Sequence, residues 1–113
     1  MPKSLEDYQT EFDQLHQYLS DSLDKEMIKG DHYDNAEMII CAAYPNETRK
    51  INIERGELEP DSDPIDIGGI PPLNLLFDEV EDKATLINDF RKAIQQCRSY
   101  NIDEVASEII KSR

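Results

Sequence analysis

The chain has 113 residues, with 25 Asp and Glu against 12 Lys and Arg, a formal net charge of −13, and 38% hydrophobic residues. A chain of this size can bury about two-thirds of its unfolded surface, so one acidic domain over residues 1–113 is expected. The charge repels nucleic acid and anionic lipid and attracts basic protein surfaces, and no apolar run approaches the roughly 20 residues that cross a bilayer.

Ser4 with Asp7 three residues on forms a capping-box signature. Behind it Leu5, Tyr8, Phe12, Leu15, Leu19 and Leu23 recur at steps of three and four. This predicts a long amphipathic helix ending near Gly30, with Glu6, Asp13, Asp21 and Asp24 on its other face. Lys29 to Asn35 reads as a polar loop rich in breakers.

Ala36 to Tyr44 is nearly continuous in apolar residues and short, the pattern of a buried strand. Pro45-Asn46-Glu47 reads as a turn. Arg49, Ile51, Ile53 and Arg55 then alternate with Lys50, Asn52 and Glu54, which predicts a second, half-exposed strand. Residues 36–44 and 48–55 together predict a hairpin.

Glycines and prolines crowd Gly56 to Pro72, where Ile65-Asp66-Ile67 offers a short edge strand. Leu73, Leu76, Phe77 and Val80 fit a helix behind Pro72, although Leu75 leaves a strand open. Leu86, Phe90, Ala93, Ile94 and Cys97 predict a helix over Lys83 to Tyr100. Asn101 with Glu104 marks the start of a last helix with Val105, Ile109 and Ile110 inward. The expected fold is α+β, with a long N-terminal helix and two C-terminal helices packed on a small antiparallel sheet containing the hairpin.

Residues that carry chemistry are sparse. His16 lies beside the apolar stripe of the first helix, and His32 sits in the cluster Asp31-His32-Tyr33-Asp34 without an accompanying nucleophile. Cys41 and Cys97 fall inside apolar patterns, where burial disfavours a thiolate. Two such thiols, with no secretory signal before the first helix, fit a reducing compartment, and the expected location is cytoplasmic. No CxxC or HExxH spacing is present. The run Glu57 to Gly68 departs from a calcium loop at Pro64, Ile65 and Gly68, and Pro72 stands where the bidentate glutamate belongs. Neither enzymatic activity nor a cofactor is expected.

The charge is unevenly placed: residues 81–113 hold six acids and six bases, so the whole surplus lies in residues 1–80. The expected function is therefore stoichiometric: an acidic inhibitor or immunity-type protein that neutralises a basic partner such as a nuclease, toxin or nucleic-acid-binding enzyme. The expected contact residues are Glu6, Asp13, Asp21, Asp24, Asp31, Tyr33, Asp34, Tyr44, Glu57, Glu59, Asp61, Asp63 and Asp66, with Tyr33 and Tyr44 as exposed anchors. Two alternatives stand beside it. One is an adaptor or regulatory subunit docking through its C-terminal helices. The other is a nucleic-acid mimic, although the carboxylates of the first helix step by roughly 10–12 Å, whereas duplex charges step by about 1.7 Å.

Overall fold

In the computed structural model, which describes residues 2–113, the Ser4–Asp7 capping box closes as expected. The Asp7 N–H donates to Ser4 Oγ at 3.2 Å and the Ser4 N–H to Asp7 Oδ2 at 3.1 Å. Helix α1 (Leu5–Asp24) follows, burying Phe12 and Leu19. It stops short of Gly30 because Glu26 adopts a left-handed conformation, φ 60°, and the Met27 N–H closes back on Ser22 O at 2.9 Å. That closure satisfies carbonyls of the last turn.

The expected strand at residues 36–44 is instead most of a helix, α2 (Gly30–Ala43). Residues 31–35, which read as a loop, form its first turns. The Lys29 N–H donates to His32 Nδ1 at 3.1 Å, and buried Asn35 donates from Nδ2 to Cys97 O at 3.1 Å. Ala36, Ile39, Ile40 and Ala43 are buried at helical spacing. A helix enclosed by several neighbours loses the one-sided pattern that marks amphipathic helices, and α2 lies against α1 and three helices yet to come in the chain.

The second expected strand, residues 48–55, lies in helix α3 (Pro45–Glu54), which begins on Pro45, where a proline has no N–H to lose. Its inward face carries Thr48, Ile51 and Asn52, two of them polar, and Thr48 Oγ1 donates to Cys41 O at 3.0 Å. Ile53 is only half-buried on the flank. The strand-like alternation thus arose from a flank isoleucine and from polar residues turned inward.

Helix α4 (Leu73–Glu79) resolves the helix-or-strand ambiguity, burying Leu73, Leu76 and Phe77 against the core. Helix α5 (Lys83–Gln95) starts on Asp82, whose Oδ1 accepts the Thr85 N–H at 3.1 Å, and ends before the predicted Tyr100. Helix α6 (Ile102–Lys111) follows Asn101, burying Val105, Ala106 and Ile109, while Ile110 is exposed. The short edge strand expected at Ile65-Asp66-Ile67 does not form; Pro64 and Ile65 lie in a turn that the Asp66 N–H closes on Asp63 O at 2.8 Å. The described residues contain no strand, so the expected α+β fold with its antiparallel sheet and hairpin gives way to an all-α fold.

Helix α2 is the hub, packing on α1, α3, α5 and α6, while α4 packs on α3. Phe12 bridges Phe77 and Phe90, with ring centroids 5.2 and 5.1 Å apart. Cys41 and Cys97 are buried and unbridged, and burial pushes the Cys41 thiol up to about 12. One carboxylate enters the core. Asp89, 1% exposed, accepts at Oδ2 from Tyr44 Oη at 2.8 Å and from Arg113 Nε at 2.9 Å. Arg113 also donates to Ala43 O at 2.7 Å, with its guanidinium 4.2 Å from the Tyr44 ring centroid. Among the described residues no helix is long and apolar enough to cross a membrane.

Candidate protein-binding surface

The connection from α3 to α4, residues 55–72, contains the acidic run, and α3 supplies what shapes it. Arg49 reaches from α3 into the bend of this connection. Its Nη1 donates to Ser62 Oγ at 3.1 Å, Asp63 O at 2.9 Å and Asp66 O at 2.6 Å. Its Nη2 donates to Pro60 O at 3.3 Å and Ser62 O at 3.1 Å. One turn further along α3, buried Asn52 donates from Nδ2 to Ile67 O at 2.7 Å and Gly69 O at 2.8 Å. Gly68, at φ 85°, permits that approach, since a Cβ there would stand 3.0 Å from Asn52 Nδ2.

The arginine therefore binds main-chain carbonyls and a hydroxyl, and its charge is not taken up by a paired carboxylate. Asp63 Oδ1 accepts the Ile65 N–H at 3.2 Å and Asp66 Oδ1 the Gly68 N–H at 2.9 Å, turns characteristic of aspartate. Glu57, Glu59, Asp61, Asp63 and Asp66 are all exposed. At the tip among them, Ile65 is 87% exposed, the most exposed large apolar side chain among the described residues.

Only four of the 25 acidic side chains, Glu11, Glu37, Glu79 and Asp89, approach a basic side chain within 4 Å among the described residues. Surface ion pairs contribute little to stability in any case. The larger consequence is that most carboxylates are left to act outward.

The other expected contact residues divide. Glu6, Asp13 and Asp24 are exposed and Asp21 half-exposed, on the side of α1 away from Phe12 and Leu19. Asp31 and Asp34 are exposed at the start of α2, and the Tyr100 hydroxyl donates to Asp31 Oδ2 at 2.7 Å, which holds that carboxyl below its ordinary range. No hydrogen bond or ion pair among the described residues links these groups to the 57–66 loop. The acidity is thus gathered in separate patches.

Neither tyrosine is an exposed anchor. Tyr44, expected at a strand end, follows a buried helix, is 6% exposed and is engaged by Asp89 and Arg113. Tyr33 is half-buried between α1 and α2, with its hydroxyl 3.1 Å from His16 Nε2. The same nitrogen lies 3.1 Å from Glu37 Oε2, and the ring packs edge-on to Phe90 at 6.0 Å. This His–Glu–Tyr group joins two helices and accounts for His16. His32 instead caps α2, its ring 6.0 Å from that of Tyr100.

The described residues bring no three His, Cys, Asp or Glu side chains together in a manner that would hold a metal ion. In the acidic loop, Asp63 and Asp66 each face a backbone N–H. Arg49 and Ile65 stand outside the expected contact residues. Ile65 was visible as an isoleucine among carboxylates, but nothing in the sequence joined Arg49 to a loop eleven to seventeen residues away.

Comparisons with protein-family models, curated proteins and solved structures find no match to this chain.

Proposed function

We propose that this protein works by stoichiometric binding to a basic protein partner, with the 57–66 loop as its principal docking element. The observation that carries this reading is the Arg49-supported loop, with unpaired Asp61, Asp63 and Asp66 around the outward Ile65. Carboxylates speed encounter with a cationic surface, and an apolar side chain that enters a pocket slows release. Internal support matters because a loop already held in shape gives up less conformational freedom on binding. The partner class is an enzyme or toxin with a cationic site, and the mode of action is occlusion of that site. The α1 stripe and the Asp31–Asp34 patch contribute long-range attraction.

The test is capture of the partner from native lysate followed by kinetics with purified components. Glu57→Lys, Glu59→Lys, Asp61→Lys and Asp63→Lys combined are expected to lower the association rate at least tenfold at low salt, and added salt should slow the wild type similarly. Ile65→Asp is expected to act on the dissociation rate. A captured partner that binds wild type and the loop variant at equal rates moves recognition to another surface and refutes this reading.

A further inference from the structure

Between the second half of α1 and the end of α5 runs a cleft of about 350 Å³ whose character is opposite to the rest of the surface. Leu15, Leu19, Ile94 and Cys97 form its apolar walls, and Tyr18 and Met27, 57% and 60% exposed, stand at its edges. Arg91 and Arg98 complete the rim, and none of the lining residues is acidic. Elsewhere the clefts lined by Glu81 and Asp82, by Glu108, by Glu54 and by Asp103 all include carboxylate.

The rim cations are available. Arg98 donates from Nη2 to Met27 O at 2.9 Å, which fixes its position without neutralising it. Arg91 has Glu11 at 3.8 Å, a carboxylate shared with Lys3. Residues 90–102 contain Arg91, Lys92 and Arg98 and no acid, within a chain of net charge −13. Exposed apolar surface next to guanidinium groups suits a partner with apolar side chains flanked by carboxylates, since arginine binds carboxylate through paired, directional N–H donors.

We propose that the α1–α5 cleft binds an acidic amphipathic helix of a partner protein, placing one or two large apolar side chains over the half-buried Leu15 and Ile94 and its carboxylates on Arg91 and Arg98. Two facing helices make a groove of the form that receives such segments, read through anchors at i and i+4. This site goes beyond the acidic-loop reading and is independent of it, because the two use different surfaces and opposite charge. The molecule then joins a basic partner at its loop to an acidic segment at its cleft.

The probe is a capped peptide of about 15 residues, long enough to reach helical structure, with Leu and Phe at i and i+4, Glu on the flanks and Ala elsewhere. Its counterpart carries Lys in place of Glu. Titration of the Glu peptide into labelled protein is expected to shift the amide signals of Tyr18, Met27, Ile94 and Arg98. The Arg91→Glu/Arg98→Glu variant should weaken it at least tenfold and reverse the preference between peptides. Tyr18→Ala and Met27→Ala, both at exposed positions, should weaken both peptides while leaving the unfolding midpoint in place. The Asp61→Lys/Asp63→Lys variant should leave the Glu peptide's affinity within twofold, which keeps failure of the loop reading distinct from failure here. Equal binding of both peptides to the wild type, shifts confined to other surfaces, or self-association abolished by Arg91→Glu/Arg98→Glu would each overturn the proposal, the last in favour of a second copy.

Discussion

Arg113 and Arg49 are both fastened by several hydrogen bonds, yet they treat the chain's carboxylates in opposite ways. Arg113 closes on Asp89, a carboxylate almost wholly removed from water, and with Tyr44 ties the end of α2 to α5. Arg49 gathers the carbonyls of residues 60–66 and leaves the carboxylates of the same loop facing outward. In the first region a cation compensates a buried anion for the sake of the fold; in the second it organises backbone so that anions stay exposed. The hydrogen-bond partners of each arginine thus separate a carboxylate engaged in the core from carboxylates left exposed.

The contrast breaks first at Asp89. Asp89→Ala leaves the buried Tyr44 hydroxyl without its acceptor and takes one from Arg113, which keeps Ala43 O and access to water, and loss of the acceptor from a buried polar group costs about 3 kcal/mol at the upper end. Urea unfolding should show a loss of that order with the slope unchanged. A loss of only about 0.5 kcal/mol, ordinary for a surface change, would place Asp89 outside the core network. Arg49→Ala comes next, at about 2 kcal/mol, since charge-assisted bonds to carbonyls are lost at a half-exposed site. Here the distinguishing measurement is local. Amide exchange should accelerate across residues 60–69 and leave α2 and α5 protected. Uniform acceleration would mean that Arg49 supports the whole fold and not the loop alone.

Helices with one apolar side were legible in the sequence. Leu5 to Leu23 and Leu86 to Cys97 carry the three-four spacing because α1 and α5 each keep a polar face. The hub was not legible for the converse reason. Residues 36–43 of α2 touch several helices and so lack a polar stripe, and in α3 Thr48 and Asn52 take inward positions that patterning assigns to apolar side chains. The alternation over residues 49–55 independently mimics a second strand, and a strand ending at Tyr44 puts at an exposed corner a side chain that is buried behind α2. The acidic loop was visible as composition, and so was the uneven placement of charge. Its support was hidden, because Arg49 and Asn52 act on carbonyls, and carbonyls carry no residue identity.

The smallest expected effect tests the Tyr44–Asp89–Arg113 group by its pH dependence. Burial, and then the bond to Asp89, raise the Tyr44 hydroxyl well above its ordinary 10.0. The folded protein therefore keeps this proton at a pH where the unfolded chain releases it. Stability from Tyr44 is fully present below pH 10 and falls as pH rises above it, by about 1.4 kcal/mol per unit. Tyr44→Phe keeps the ring under Arg113 and removes the hydroxyl, which should cost about 1 kcal/mol at pH 7. The variant has no proton to lose, so its deficit should shrink above pH 10 and reverse near pH 11. Cys41, raised from 9.0 to about 12, imposes its own alkaline loss on both proteins and cancels from the difference. Parallel stability curves for wild type and Tyr44→Phe between pH 8 and 11 would show that the hydroxyl is solvated and that Asp89 relies on Arg113 alone.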